Sequence, residues 1–497
     1  MVATQVFDRD LETRLFINGE FVDSSDGKTF PTVNPATAEV IAHVQEAGEA
    51  NVEAAVKAAT DAFALGSEWR SMNATGRRDC MLRLADLIER DRAYLEKLES
   101  LDNGKPLGRG EYGSSVDLHL VIQCYRYYAG WADKITGNVV PVDGNFLCYT
   151  RHEPIGVCGA IIPWNFPLLM QAWKMAPCLA TGNTIVLKTS EKTPLSALHV
   201  AKLTIEAGFP KGVVNILSGF GPTTGQQIAK HHGIHKIAFT GSTKVGHMIQ
   251  QYASESNLKR CSLELGGKSP MIIFDDADID QAVNAAFVGL FLNQGQCCCA
   301  GSRLYVQESI HDKVAAALTA KAKAMKIGAA LDVEDASHGP QVDELQFNRV
   351  MGYLEKGKAE GATPLCGGSR HGDKGYFIQP TVFTDVTDDM TIAKEEIFGP
   401  VMSILKFKDE AEVIERANKT CYGLGAGVCS TNIGRALSVA HQIRAGTVWV
   451  NSYDVFDAAA PFGGFKESGH GRDLGKESLE VWTECKTVFV PLNGPQC

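Results

Sequence analysis

No uninterrupted apolar stretch of this chain reaches the roughly 18 residues that a membrane-spanning helix needs. Ala285 to Leu292 is the short kind of run that a buried helix gives. A membrane-spanning protein is therefore not expected. Basic excess is also missing: 48 Lys and Arg stand against 58 Asp and Glu, for a net charge of −10 and a pI near 5.8. Nothing in that balance attracts nucleic acid or an anionic membrane surface. Cysteine is sparse, with 14 in 497 residues and no C-x-x-C pair, which excludes a disulfide scaffold and argues for a reducing compartment. No structural zinc is expected, since three adjacent thiols do not easily meet one tetrahedral ion. A serine-nucleophile elbow G-x-S-x-G is lacking, as are low-complexity linkers and repeats of 20 to 50 residues. The start, Met1 to Asp10, has acidic residues and no Arg-rich or apolar targeting pattern. Cytosol is the expected location, or the mitochondrial matrix if a presequence was removed.

What is present is apolar material, 44% of a chain too long for one hydrophobic core, so two or more domains are expected. Leu15 to Val22 reads as a short β segment, and Glu49 to Phe63 and Arg78 to Glu99 have helical period. From Gly156 onward, β-rich runs alternate with amphipathic helices. Gly156–Ile162 precedes Leu168–Leu179, Thr184–Lys188 precedes Ser196–Ala207, Val213–Leu217 precedes Thr223–His231, and Lys236–Thr240 precedes Thr243–Ser254. That alternation predicts an α/β fold with a parallel sheet, whose ligands sit at the carboxyl ends of the strands. A second α/β region follows, from about Pro270 to Asp473. Thr487 to Val490, in the tail, reads as a strand with little room in its own domain and is expected to complete another subunit's sheet.

Chemistry concentrates in Gly295-Gln296-Cys297-Cys298-Cys299-Ala300-Gly301, downstream of Glu264-Leu265-Gly266-Gly267-Lys268. A thiol nucleophile and a carboxylate base on two Gly-containing segments suggest covalent chemistry on a carbonyl. The competing reading of Glu264 is an ion pair with Lys268 four residues on, and that of the cysteines is inert packing. Spacing alone does not choose among the three thiols. Gly241-Ser242-Thr243 after a strand offers a helix N-terminus to phosphate, Ser242 or Thr243 being the cap, and it is neither a Walker loop nor G-x-G-x-x-G. Ser218-Gly219-Phe220-Gly221-Pro222 reads as an ordinary loop, because Pro222 removes an N–H. Lys188 and Glu191 could hold the two hydroxyls of an adenosine ribose, the acid repelling a 2′-phosphate. Asn165, between Trp164 and Phe166, has a side-chain amide suited to an oxyanion. His231-His232-x-x-His235 is read as a helix end rather than a metal site.

Together, Pro163-Trp164-Asn165-Phe166-Pro167, Lys188-Thr189-Ser190-Glu191, Phe239-Thr240-Gly241-Ser242, Glu264 to Lys268, Gly295 to Cys299, Glu395-Glu396-Ile397-Phe398-Gly399-Pro400 and Pro461 to Lys466 closely resemble the aldehyde dehydrogenase superfamily. The nearest likeness is to its NAD-dependent class 1/class 2 branch, whose members oxidise acetaldehyde, other aliphatic aldehydes or retinal. The resemblance implies a Rossmann-like NAD-binding domain at 8–134 and 152–266 and a catalytic α/β domain at 267–475. A small β oligomerisation domain at 135–151 and 476–497 would complete a homotetramer, a dimer of dimers. It implies Cys298 as nucleophile, Glu264 as general base and Asn165 in the oxyanion hole. Lys188 and Glu191 would hold the adenosine ribose of NAD, Trp164, Gly241 and Ser242 the pyrophosphate, and Glu396 and Phe398 the nicotinamide ribose and its surroundings. Leu120, Phe166, Leu169, Met170, Trp173, Phe456 and Phe462 would line a substrate tunnel. Bulky Leu120 and Phe456 suggest a narrow mouth and small or medium aliphatic aldehydes in preference to retinal. A catalytically silent, crystallin-like structural protein is the alternative of a different class. Asp473 stands where close relatives usually have Glu, and Arg260, Arg472 and Glu484 match a charge network between subunits.

Overall fold

The computed structural model of the protein describes residues 10–108, 112–333 and 335–492. The acidic start and the last residues of the expected tail lie outside them. Two large sheets dominate. In the first, five parallel strands run side by side in the order Arg260–Glu264, Lys236–Thr240, Val157–Ile161, Thr184–Lys188, Val214–Leu217. Antiparallel strands flank them, Gly469–His470 beside Glu264 and the hairpin Leu15–Ile17 with Glu20–Val22 at the far end. Val157–Ile161, Thr184–Lys188 and Lys236–Thr240 are buried along their whole length. That is what near-continuous apolar runs require when helices cover both faces of a parallel sheet.

The chain adds strands in one direction from Val157–Ile161 and then returns to its other side with Lys236–Thr240. The order therefore reverses between these two strands, and a crevice opens beyond their carboxyl ends. Residues 162–166 and 240–242 leave the sheet there, with Glu264 closing the next strand. Helix Pro167–Ala180 is buried on every side, because it threads between that sheet and the helix Ser114–Trp131.

The second sheet has seven strands, ordered Thr363–Cys366, Thr381–Thr384, Val401–Phe407, Arg303–Gln307, Pro270–Ile273, Gly425–Cys429, Thr447–Val450, all parallel except the first. A three-stranded antiparallel sheet joins Thr483–Pro491 to Phe146–Pro154 and Val139–Val140.

Three expectations need correction. The helix expected over Arg78 to Glu99 is two helices, Ala74–Arg90 and Arg92–Asn103, broken at Asp91, whose φ of −92° and ψ of 12° leave the helical region. The helix expected over Thr223 to His231 begins as a wide turn at Gly221–Gly225 and becomes α-helical only over Gln226–Lys230. The tail strand is longer than Thr487 to Val490, and it has a partner within its own chain: it pairs along its whole length with Phe146–Pro154, leaving one edge unpaired.

Candidate active site

The nucleophile loop is shaped by an abrupt stop to a helix. Ile279–Phe291 ends in a turn where Asn293, Gln294 and Gly295 all take left-handed conformations, φ 49°, 58° and 69°. Asn tolerates that region, whereas Gln is less common there and marks local strain. Gly295 is required on a second ground, since a Cβ would lie 2.1 Å from the Gly399 carbonyl oxygen. The Asn293 amide donates to the Asn165 carbonyl at 2.9 Å, and Tyr453 donates its hydroxyl to the Cys299 carbonyl at 2.8 Å. The loop is thereby fixed from both sides. Gly267 lets the base segment approach it, because a Cβ there would stand 2.5 Å from the Cys298 carbonyl oxygen.

These constraints separate the three thiols. All three line one cavity, but Cys297 and Cys299 are buried, at 5% and 0% exposure, while Cys298 is half-buried. Cys298 Sγ donates to Glu264 Oε1 at 3.4 Å. Its Cys297 neighbour, burial and the Glu264 charge together hold the Cys298 thiol well above the usual thiol range. A base must therefore take its proton before it can attack. The three sulfurs do gather, contrary to the expectation from adjacency. All lie within 4.8 Å of one another, because the turn brings Cys297 and Cys299 to 3.5 Å.

Glu264 is 4% exposed and its other oxygen accepts from Thr240 Oγ1 at 3.3 Å. Burial first, and the Asp473 carboxylate second, push its carboxyl up to about 7, against the pull of Lys174. Asp473 itself accepts from Lys174 in a buried ion pair. The i+4 partner is not used: the Lys268 amine has no hydrogen-bond partner, and burial lowers it to about 7. Asn165 donates one amide N–H to the Gln296 carbonyl at 3.0 Å, which leaves its second N–H for an oxyanion beside Cys298.

A cavity of about 290 Å³ joins these groups. All seven apolar residues expected around a tunnel line it: Leu120, Phe166, Leu169, Met170, Trp173, Phe456 and Phe462. Phe456 packs against Trp173, Phe462 and Trp449 with ring centroids 6.1, 5.3 and 5.8 Å apart, which narrows that end.

On the opposite side the cavity is walled by Trp164, Gly241, Ser242, Glu396 and Phe398. Ser242 caps the helix Thr243–Glu255 by accepting from Val245 N, so the cap is Ser242 and not Thr243. Glu396 Oε1 accepts from Gly267 N at 3.0 Å, and its oxygen occupies the space that a side chain at Gly266 would need. Phe398 takes φ 60° and sets its ring edge-on to Trp164 at 5.2 Å.

Lys188 and Glu191 lie outside the cavity wall, at the end of the neighbouring strand. The Lys188 amine donates to the Thr189 carbonyl at 2.7 Å and stands 3.6 Å from Glu191. A sheet crevice, an open helix N-terminus and a Lys and Glu at the adjacent strand end fit the parts of a dinucleotide.

The sequence reading missed Tyr112, Asp117, Lys192, Arg349 and Asp454, which also line the cavity. None belongs to a short motif. Of the proposed charge network, Arg260 and Glu484 meet at 3.5 Å, while Arg472 donates to the Gly464 and Gly471 carbonyls instead. His231 pairs with Glu53, and among the described residues the histidines form no metal-ligating group.

Comparison with known proteins agrees with this geometry. The rat mitochondrial aldehyde dehydrogenase is 59% identical over 477 residues, 96% of this chain and 91% of that protein. Human retinal dehydrogenase 2 is 56% identical over 480 residues, 97% and 92% of the two chains. The NAD+ complex of an aldehyde dehydrogenase from Bacillus cereus superposes with a TM-score of 0.95 at 51% identity, covering 99% of each chain. The model of the aldehyde dehydrogenase family matches residues 21–488, and the chain belongs to that family.

Proposed function

We propose that this aldehyde dehydrogenase oxidises small and medium aliphatic aldehydes to carboxylic acids through a covalent intermediate on Cys298. The observation that carries the reading is the Cys298 sulfur 3.4 Å from a buried carboxylate, in a cavity at the strand-order reversal. The Cys298 thiol releases its proton to solvent, the thiolate attacks the aldehyde carbon, and the resulting hemithioacetal oxyanion is held by the Asn165 amide. NAD, when bound, accepts the hydride that leaves this carbon. Lys188 and Glu191 would hold its adenosine ribose, Trp164, Gly241 and Ser242 its pyrophosphate, and Glu396 and Phe398 its nicotinamide ribose and surroundings. Glu191 disfavours NADP by facing a 2′-phosphate with a like charge. Glu264 then draws a proton from water, which hydrolyses the Cys298 thioester and frees the acid.

The aromatic narrowing at Phe456, with Leu120 in the wall, supports small substrates over retinal, the substrate class named for some relatives. Turnover of acetaldehyde, hexanal and all-trans-retinal with NAD and NADP is the test, read as formation of the reduced dinucleotide. NAD-dependent use of the first two, with retinal at least ~10-fold poorer in kcat/KM, is expected. A preference for retinal overturns the substrate assignment, and no turnover of any aldehyde favours the silent structural protein. The alignment of Cys298, Glu264 and Asn165 in one cavity argues against that alternative.

The domains we assign are NAD-binding at 8–134 and 152–266, catalytic at 267–475, and oligomerising at 135–151 and 476–497. In support, the two large sheets divide near residue 266, although Gly469–His470 adds a strand to the first. The unpaired edge of Thr483–Pro491 and exposed Val139, Phe146, Leu147 and Phe489 support a homotetramer, which sedimentation checks. No helix of the described residues is long and apolar enough to cross a membrane. Our reading of the compartment is the cytosol, which fits free thiols as the matrix also does; fractionation separates the two. Glu484→Lys sets a cation against Arg260, which begins the strand that ends in Glu264. It is expected to raise the KM for NAD severalfold, and an unchanged KM removes Glu484 from cofactor support.

A further inference from the structure

The cavity wall holds a carboxylate oxygen with nothing to accept from. Asp117, on the helix Ser114–Trp131, is 1% exposed and lines the cavity with Val116 and Leu120. Its Oδ2 accepts from the Lys105 amine at 2.5 Å and from the Tyr112 hydroxyl at 3.0 Å. Its Oδ1 is buried and has no hydrogen-bond partner among the described residues. Lys105 is fully committed: it also reaches Glu99 at 3.4 Å and sits over the Phe166 ring at 4.8 Å. Asp454 repeats the pattern in the same cavity, accepting from Cys299 Sγ at 3.2 Å through Oδ1 while Oδ2 has no partner. Both carboxylates line the cavity that holds Cys298, and Asp454 is bonded to the nucleophile loop itself through Cys299. A buried acceptor without a donor is costly, and a substrate that brings the donor removes that cost.

Resting on the aldehyde-oxidising reading above, we propose that Asp117 is a specificity-determining residue. It accepts a hydrogen bond from a hydroxyl near the carbonyl of the substrate, which makes short hydroxyaldehydes substrates of this enzyme. A hydroxyl fits better than an ammonium group. Lys105 already balances the Asp117 charge, and an ammonium ion would have to shed its water among Leu120, Phe166, Met170 and Trp173.

The test uses pairs in which a hydroxyl replaces a methyl of the same size, glycolaldehyde against propanal and 3-hydroxypropanal against butanal, with the full-length enzyme and NAD. A wholly apolar wall disfavours the hydroxyl member by ~100-fold in kcat/KM. With Asp117 in place, the hydroxyl member of at least one pair is expected within ~3-fold of its partner or better. In Asp117→Asn the amide oxygen must face Lys105 and Tyr112, so its NH₂ replaces the free acceptor. The hydroxyl-to-alkyl ratio then falls at least ~5-fold, whatever happens to the absolute rates. Hydroxyl members ~10-fold or more poorer in both pairs of the wild type overturn the proposal even if the variant does not fold. An unchanged ratio in a folded variant also overturns it, as does a preference for 3-aminopropanal. Failure of propanal and butanal themselves is a different result, since it removes the aldehyde-oxidising reading on which this one rests.

Discussion

Cys298→Ala is expected to lower NAD-dependent oxidation of propanal by at least ~10⁴-fold, the scale on which removing a covalent nucleophile acts. Binding of NAD, followed by quenching of protein fluorescence, should persist, because Cys298 makes no hydrogen bond to Lys188, Ser242 or Glu396. The comparison that gives the result its meaning is among three adjacent thiols. Cys297 and Cys299 are more deeply buried in the cavity wall, the latter donating to Asp454, and neither is hydrogen-bonded to Glu264. Cys297→Ala and Cys299→Ala should therefore keep activity within ~10-fold of wild type, their losses coming from looser packing of the loop. Equal losses in all three variants would mean that the loop as a whole, rather than one sulfur, carries the chemistry. Because the Cys298 thiol is held high, its alkylation by iodoacetamide should be slow at neutral pH and should quicken as pH rises.

The parts of this site that could be read from the chain are those built from contiguous residues. Alternating apolar runs and helical periods located four of the five parallel strands of the first sheet within a residue or two, since burial on both faces leaves little freedom of composition, and missed Arg260–Glu264, whose first two residues are not buried. Gly295 and Gly267 stood out as glycines, and the structure shows why: each would place a Cβ against a carbonyl oxygen across the nucleophile loop. Asp117 and Tyr112 were invisible, because a lone acid on a helix and a tyrosine before it carry no pattern. Only packing of Ser114–Trp131 against Pro167–Ala180 brings them to the cavity. The break at Asp91 was missed because apolar positions keep their helical spacing across it, Ile88 before it and Leu95 after. The gathering of three sulfurs was missed too, since it depends on three successive left-handed residues that composition does not announce.

Glu264→Gln is expected to separate the two halves of the reaction. The isosteric amide keeps the packing beneath Thr240 but cannot take a proton from water, so the thioester on Cys298 should accumulate. Rapid mixing with propanal and NAD should show one equivalent of reduced dinucleotide per site, followed by a steady rate ~10² to 10⁴-fold below wild type. The pH profile supplies an independent check. A general base works only when ionised, and this carboxyl is raised to about 7, so wild-type kcat should fall as pH drops through about 7. That acid limb should vanish in Glu264→Gln. Its position should also move with the neighbour that helps to set it. Asp473→Asn removes a negative charge beside Glu264 and leaves the Lys174 cation unpaired, and both changes make ionisation easier. The limb should then shift to lower pH, with no burst, because Glu264 is still present to release the thioester. A Glu264→Gln enzyme with no burst, a steady rate within ~3-fold of wild type and an unaltered acid limb would assign the base to another residue.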